Sequence, residues 1–230
     1  MSACPVQAVT FDVGGTLIQP WPSVGQVYAE VATRHGVAGA SAAVLDHRFR
    51  ACWASRKTSP DNRAAWEALV NEVFAGLCAE PPSSTFFSDL YERFALPQAW
   101  RMFDDVIPAL TELQKAGVRI GIISNWDERL RGLLQRLKLA EYFPVMAISC
   151  EVGAAKPASA IFKFAASQFS VSPRAILHVG DDPERDVRGA AAAGFQSVQI
   201  LRGEKTGSAR TLRSLAELST WIAEVEAKSD

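Results

Sequence analysis

The chain has 230 residues, with 24 Lys plus Arg against 25 Asp plus Glu and a formal net charge of −1. That length can bury a substantial core, and so even a balance sets up no global field that would favour nucleic acid or an anionic membrane surface. The four cysteines, Cys4, Cys52, Cys78 and Cys150, lack C-x-x-C spacing and a histidine cluster, which argues against a zinc site or a disulfide framework. No apolar run is long enough to span a bilayer, and Met1 to Pro5 lack the charged and hydrophobic parts of a signal peptide. The expectation is a soluble, cytoplasmic protein with reduced thiols.

The first apolar run, Val6 to Val13, reads as a buried strand that thrusts Asp12 out at its carboxyl end, followed by the turn Gly14-Gly15-Thr16. From about Trp21 to Trp100 the patterning turns helical, over Val24–His35, Ala42–Ser55, Arg63–Ala79 and Thr85–Phe94, with no credible strand. Pro20, Pro22 and Pro97 punctuate its edges as two linkers would. Its aromatic residues, Trp53, Trp66, Phe74, Phe86, Phe87 and Tyr91, read as a core of its own rather than a ligand platform.

Beyond it, strands and helices alternate. The strands are expected at Val118–Ser124, Val145–Cys150, Ala175–Gly180 and Gln196–Leu201. The helices are expected at Asp105–Ala116, Asp127–Lys138, Ala158–Phe169, Glu184–Ala193 and Leu212–Val225. Such alternation predicts an α/β fold: a Rossmann-like, three-layer α/β/α core with a parallel sheet, into which an all-helical cap is inserted. The core takes residues 1–20 and 101–230, and the cap residues 21–100.

Four strand ends carry polar residues: Asp12 with Thr16, Ser124-Asn125, Lys156-Pro157 after Gly153, and Gly180-Asp181-Asp182 followed by Asp186. In a doubly wound sheet these ends meet along one edge, where ligands bind. Together they supply a carboxylate nucleophile, a hydroxyl donor, a lysine charge and acids to hold a divalent cation, which suits a phosphate-like group. Each alone is ordinary, since acids cap helices, Ser-Asn is a common turn pair and Lys-Pro a common loop pair. It is their joint occurrence at successive strand ends that points to a site. His35, His47 and His178 read as satisfied core or surface histidines, and Arg129, Arg131 and Arg202 as surface residues.

In this order the residues resemble the four motifs of the haloacid dehalogenase superfamily, and the helical insertion, lying between the first and second motifs, resembles that superfamily's C1-type cap of subfamily I. The resemblance spans nearly the whole chain and implies a magnesium-dependent phosphatase. It makes Asp12 the nucleophile that becomes an aspartyl phosphate. Ser124, with Asn125 beside it, would contact the phosphoryl oxygens, and Lys156 would offset the charge gathering on nucleophile and phosphate. Mg2+ would be held by Asp12, the backbone carbonyl of Gly14 and Asp181. Asp182 and Asp186 would hold the metal's waters or orient Lys156, and Thr16 would fix the turn. The implied partner is a small phosphorylated metabolite, with no nucleic acid and no membrane, bound by a monomer or homodimer.

One position departs from the pattern. Gly14 stands where the superfamily usually has a second aspartate, which protonates the leaving group and later activates water. Loss of such a group costs on the order of a hundred- to ten-thousand-fold in rate, so the expectation is weak hydrolysis of phosphates with good leaving groups. Brisk turnover of alkyl phosphates would instead imply a substitute acid such as Asp127 or a cap residue.

Three other readings stand beside the phosphatase. A 2-haloacid dehalogenase also lacks the second aspartate, but needs no metal and no acidic fourth motif, and the segment after Leu17 offers no evident halide-binding arginine. The spelling Asp12-Val13-Gly14-Gly15-Thr16 also resembles a sugar-kinase phosphate turn, yet here it runs on into proline, tryptophan and helices. A protein that binds metal or phosphate without turnover is the alternative that Gly14 itself favours.

Overall fold

The structure is a computed structural model that describes residues 5–37, 39–56, 60–203 and 211–227; Cys4 lies outside them. In chain order the strands are β1 (Ala8–Phe11), β2 (Ile18–Pro20), β3 (Trp100–Met102), β4 (Arg119–Ser124), β5 (Val145–Ile148), β6 (Ile176–Gly180), β7 (Gln196–Ile200) and β8 (Thr211–Leu212). The helices are α1 (Val24–Arg34), α2 (Ala42–Ala54), α3 (Arg63–Val73), α4 (Phe87–Arg93), α5 (Val106–Lys115), α6 (Arg129–Arg136), α7 (Ser149–Val152), α8 (Ser159–Phe169), α9 (Gly189–Ala192) and α10 (Leu218–Ala227).

The chain divides into two compact units. One comprises the described residues of Met1–Gln19, Met102–Ser124 and Leu139–Asp230; the other comprises those of Pro20–Arg101 and Asn125–Lys138.

The first unit is built on a six-stranded sheet in the order β5-β4-β1-β6-β7-β8, every neighbouring pair parallel. This is the α/β, Rossmann-like architecture expected from the alternation of strands and helices. β1 lies inside the sheet and all four of its residues are buried, as the unbroken apolar run Ala8–Phe11 requires of a strand covered on both faces. Phe11 is level with Ile122 on one side and Val179 on the other. That register brings the residues just past β1, β4 and β6 to one edge. Since β4 and β5 extend the sheet one way from β1 and β6 to β8 the other, the edge lies at a switch point, where α/β sheets open a crevice.

Two expected elements differ. The helix predicted over Glu184–Ala193 begins instead as a wide turn, Pro183–Arg188, before tightening into α9. Its width shows in the Asp182 carbonyl, which accepts from the Val187 N–H at 3.3 Å as well as from the Asp186 N–H at 3.0 Å, while the Asp182 carboxylate caps the turn by accepting the N–H groups of Glu184 and Arg185, each at 2.8 Å. The helix expected from Leu212 begins only at Leu218, since Thr211 and Leu212 pair with β7 as an edge strand.

The second unit is helical, with α1, α2 and α3 capped at their N-termini by the side chains of Ser23, Ser41 and Asn62. Its aromatic residues pack on one another: Tyr28 stacks on Phe74 at 5.8 Å, Phe74 meets Phe86 edge-on at 5.2 Å, and Trp53 stacks on Trp66 at 5.9 Å. They are a core, as their composition suggests. α3 stops at Val73, short of the predicted Ala79. The chain passes into this unit through β2 and out through β3, which pair as a two-stranded ribbon, an element the proline-marked linkers did not suggest.

Residues 125–138, expected with the sheet, pack with the helices instead. Arg129 holds them there: it donates to the Tyr91 carbonyl at 2.8 Å and lies over the Tyr91 ring at 3.6 Å, while the Tyr91 hydroxyl donates to Glu128 at 2.7 Å.

Candidate active site

The site lies at the carboxyl edge of β1, β4 and β6. Asp12 is the first residue beyond β1, and its N–H still donates to Val179 of β6 at 2.9 Å, so its backbone is part of the sheet. Only 8% of the residue is exposed. Its Oδ1 accepts two hydrogen bonds, from Ser124 Oγ at the end of β4 at 2.8 Å and from Lys156 Nζ at 2.7 Å. Lys156 Nζ also donates to Asp186 Oδ1 at 2.5 Å. The ends of β1 and β4, the loop that carries Lys156 and the wide turn after Asp182 thus meet in one cluster.

The charges in this cluster set one another. Burial alone would lower the Lys156 pKa, but the carboxylates of Asp12 and Asp186 outweigh it and hold the amine more basic than usual. Asp186 is nearly inaccessible to water, yet Lys156 and His178 overcome the burial penalty and keep its carboxyl well below the ordinary range. Asp12 goes the other way: burial pushes its carboxyl up, and the charge of Asp186 adds to the push against the pull of Lys156. A cation placed beside Asp12 would relieve that penalty.

Carboxylate oxygens of Asp12, Asp181 and Asp186 lie within 4.8 Å of one another. Asp186 is already engaged, through Oδ1 by Lys156 and through Oδ2 by the Asp182 N–H at 3.0 Å. Oδ2 of Asp12 meets no hydrogen-bond donor among the described residues. The hydrogen bonds that close the turn after Asp12 run from Gly15 N–H to the Ile18 carbonyl and from Ile18 N–H to the Val13 carbonyl, and leave the Gly14 carbonyl outside them. The grouped carboxylates of Asp12, Asp181 and Asp186 offer oxygen donors alone, which fits a hard divalent cation and not a thiolate- or imidazole-seeking one.

Other predicted residues fall elsewhere. The Asp182 carboxylate caps the wide turn, and this residue supports the site through its backbone: its N–H donates to Asp186 Oδ2 and its carbonyl accepts from the Asp186 N–H, each at 3.0 Å. Thr16 is fully buried but its hydroxyl finds no hydrogen-bond partner among the described residues; what fixes the turn is its carbonyl, which accepts from Arg202 Nη2 at 2.6 Å and Nε at 3.2 Å. Asn125 directly follows Ser124 but belongs to the segment counted with the helical unit. Asp127 does not offer a spare acid: it is fully buried, and both of its oxygens accept from Arg129, at 2.9 and 2.5 Å.

Two contributors were not foreseen. Arg202, read as a surface residue, is a half-buried clamp that joins the Thr16 carbonyl to Asp105. His178, read as a satisfied core histidine, is indeed in the core, yet its ring touches Asp186. The one hint available for His178 was a polar ring in an otherwise apolar strand just ahead of Gly180-Asp181-Asp182.

Comparison with known proteins finds relatives over most of the chain. The profile of the haloacid dehalogenase-like hydrolase family matches residues 6–194. The mouse haloacid dehalogenase-like hydrolase domain-containing protein 3 is 30% identical over 215 residues, covering 89% of this chain and 85% of that protein. A phosphoserine phosphatase of Thermus thermophilus is 27% identical over 225 residues, 86% of this chain and 90% of its own. The crystal structure of a HAD phosphatase from Thermococcus onnurineus superposes with a TM-score of 0.68 at 27% identity, covering 94% of this chain and 97% of the other.

Proposed function

The chain belongs to the haloacid dehalogenase-like hydrolases, and we propose that it is a magnesium-dependent phosphoric monoester hydrolase that acts on a small phosphorylated metabolite through an aspartyl phosphate on Asp12. Relatives that include phosphatases support the reaction class. The observation that carries the reading is the environment of Asp12 Oδ1, which is flanked by the Ser124 hydroxyl and the Lys156 ammonium. These are the donors that a phosphoryl group arriving at that oxygen would meet.

Asp12 Oδ1 attacks phosphorus, and the bond from phosphorus to the leaving oxygen breaks. Lys156 and Ser124 transfer their hydrogen bonds toward the phosphoryl oxygens as negative charge builds there, a stabilisation that the fixed, buried donors supply without reorganisation. Magnesium, held by Asp12, Asp181 and the Gly14 carbonyl, would neutralise phosphoryl charge and keep two acids from repelling the substrate. Asp186 holds Lys156 in place throughout. Attack of water on phosphorus then releases phosphate and restores the Asp12 carboxylate.

Gly14 contributes no proton donor in the first step and no base in the second. The favoured substrates are therefore acyl and aryl phosphates, whose leaving groups depart as stable anions, and the second step is the slower. The helical unit, residues 21–100 with the segment 125–138, would act as a cap that excludes water and selects the substrate. A cytoplasmic, monomeric or homodimeric protein suits this role; among the described residues no helix is long and apolar enough to cross a membrane.

The test is phosphate release from p-nitrophenyl phosphate and from acetyl phosphate, with magnesium and with a chelator, for the wild type and Asp12→Asn. Intact-mass measurement follows during turnover. Magnesium-dependent release that Asp12→Asn abolishes, with a phosphoryl adduct on the wild type, is the expected result. Neither product nor adduct would favour the second reading that Gly14 supports, a metal- or phosphate-binding protein without turnover.

A further inference from the structure

Behind the lysine lies a buried chain of polar groups that the reaction above does not use. Thr10 in β1 and His178 in β6 face each other across neighbouring strands, in register, and both are fully buried. Thr10 Oγ1 lies 2.9 Å from His178 Nδ1. His178 Nε2 lies 3.2 Å from Asp186 Oδ1, the same oxygen that takes the Lys156 ammonium. The row runs Thr10, His178, Asp186, Lys156, Asp12, each within hydrogen-bond distance of the next.

From this row we infer that His178, with its tautomer set by Asp186 and its ring anchored by Thr10, is a positioning residue that holds Asp186 and, through it, Lys156 against Asp12. The inference rests on the phosphatase reading for its consequence in turnover, but not for its geometry.

The proton positions follow from the partners. Asp186 Oδ1 is a carboxylate oxygen and only accepts, so the nitrogen facing it, Nε2, carries hydrogen. In a neutral ring Nδ1 is then an acceptor, and the Thr10 hydroxyl donates to it. Burial, which depresses the His178 pKa, agrees with a neutral ring.

The arrangement has an electrostatic result. One oxygen of Asp186 serves both His178 and Lys156, so the imidazole N–H takes up part of the negative charge that would otherwise be directed wholly at the ammonium. Lys156 is therefore less fully quenched by Asp186 and keeps more of its charge for Asp12. Geometry adds to this. A Cβ on Gly180 would overlap Asp186, so the bare backbone there is the floor on which the carboxylate rests, while the Asp182 N–H fixes its other oxygen. His178 completes the third side.

Three variants of the full-length protein test it: Thr10→Val, His178→Gln and His178→Phe. The readouts are nitrogen-15 NMR of the imidazole and the steady-state constants for p-nitrophenyl phosphate with magnesium. The wild type should show a neutral His178 ring with hydrogen on Nε2, and Thr10→Val, nearly isosteric, should keep that hydrogen on Nε2 while its Nδ1 resonance shifts with the loss of the hydroxyl donor. Thr10→Val and His178→Phe should lower kcat by about tenfold or more, the worth of one buried polar contact to a charged group, with KM nearly unchanged. His178→Gln retains an N–H toward Asp186 and should stay within about threefold of the wild type. Hydrogen on Nδ1 or an imidazolium in the wild type would overturn the inference, as would equal losses in His178→Gln and His178→Phe, or an undiminished kcat in His178→Phe. If the wild type releases no phosphate, it is the phosphatase reading that falls. The tautomer of His178, and the response of its Nδ1 resonance to Thr10→Val, would then decide the inference alone.

Discussion

Gly15 and Asp181 leave no room for a side chain between them: a Cβ placed on Gly15 would lie 2.6 Å from Oδ2 and 2.8 Å from Cγ of Asp181. Gly15 also sits at φ +81, a conformation that L-residues avoid. Gly15→Ala should therefore displace Asp181 or open the turn. Either outcome weakens the acidic cluster, so the variant should need more magnesium for half-maximal activity and lose at least about tenfold in kcat/KM, one hydrogen-bond-sized loss at a charged site. Magnesium titrations of wild type and variant check this, and unchanged titrations would show that Asp181 takes no part in cation binding.

Gly14 is a different case. Among the described residues the glycines with positive φ include Gly15 but not Gly14, so the backbone at 14 does not demand glycine. Gly14→Asp restores the missing carboxylate and should raise kcat for alkyl phosphates by on the order of a hundredfold, the lower end of what general acid-base catalysis contributes. In kcat/KM, which reports the first step, the gain should be smaller for aryl phosphates, whose leaving group needs no proton. Comparing ethyl phosphate with p-nitrophenyl phosphate in both proteins measures it; a gain in kcat for p-nitrophenyl phosphate with kcat/KM unchanged for both substrates would mean the new aspartate acts on the second step alone.

How much of this was legible in the sequence depends on whether a signal is local. β1, β4 and β6 are apolar runs because both faces of an interior parallel strand are buried, and Asp12, Ser124 and Asp181 end those runs, so strand and site residue could be read from one window. The fate of Asp127 and Arg129 could not. Their helical spacing fits either unit, and only the tertiary contacts of Arg129 with Tyr91 and Asp127 place them with the helices. The hold of Arg202 on Thr16 spans 186 positions, and no periodicity anticipates a side chain meeting a carbonyl at that distance. The part played by Asp182 was open for a subtler reason: an acid there could support the site or cap the next turn, and the sequence does not show that its carboxylate takes the N–H groups of Glu184 and Arg185 while its own N–H goes to Asp186.

Lys156 is sandwiched between Asp12 and Asp186, and its side chain is almost wholly buried. Removing its charge leaves two carboxylates facing each other in a site of low polarity, and breaking a buried ion pair in this way costs about 3 to 5 kcal/mol. Lys156→Met should thus lower the unfolding midpoint in urea as well as abolish phosphate release. Added magnesium should restore part of the stability and none of the activity, because a cation beside Asp12 relieves repulsion but does not replace the ammonium donor. Denaturation curves with and without magnesium distinguish the two effects, and a fully stable Lys156→Met protein would contradict the buried pairing.

Asp105 stands just ahead of α5 and gathers three donors on Oδ2: Arg202 Nη1 at 2.5 Å, Ser214 Oγ at 2.6 Å and the Leu215 N–H at 2.8 Å. Burial alone would raise its pKa, but these bonds and the Arg202 charge outweigh it and hold the carboxyl below the ordinary value of 3.8. The folded protein therefore keeps Asp105 ionised at acidities where the unfolded chain would protonate it. Its contribution to stability is whole above the unfolded-state value and is lost as pH falls from there through the lower folded-state value. Asp105→Asn should destabilise the protein near neutral pH by about 2 kcal/mol, the scale of hydrogen bonds to a charged group. The gap between variant and wild type should close as pH drops below about 4, where the unfolded carboxyl takes up its proton. Because Arg202 also grips the Thr16 carbonyl, the loss of Asp105 leaves that guanidinium with one anchor fewer, and the turn carrying Gly14 and Gly15 should loosen with it. Urea midpoints measured across pH, together with hydrogen exchange of the amides from Gly15 to Ile18, test both halves: a gap that stays constant with pH rules out the ionised carboxylate as its source, and unchanged exchange rules out the link to the turn.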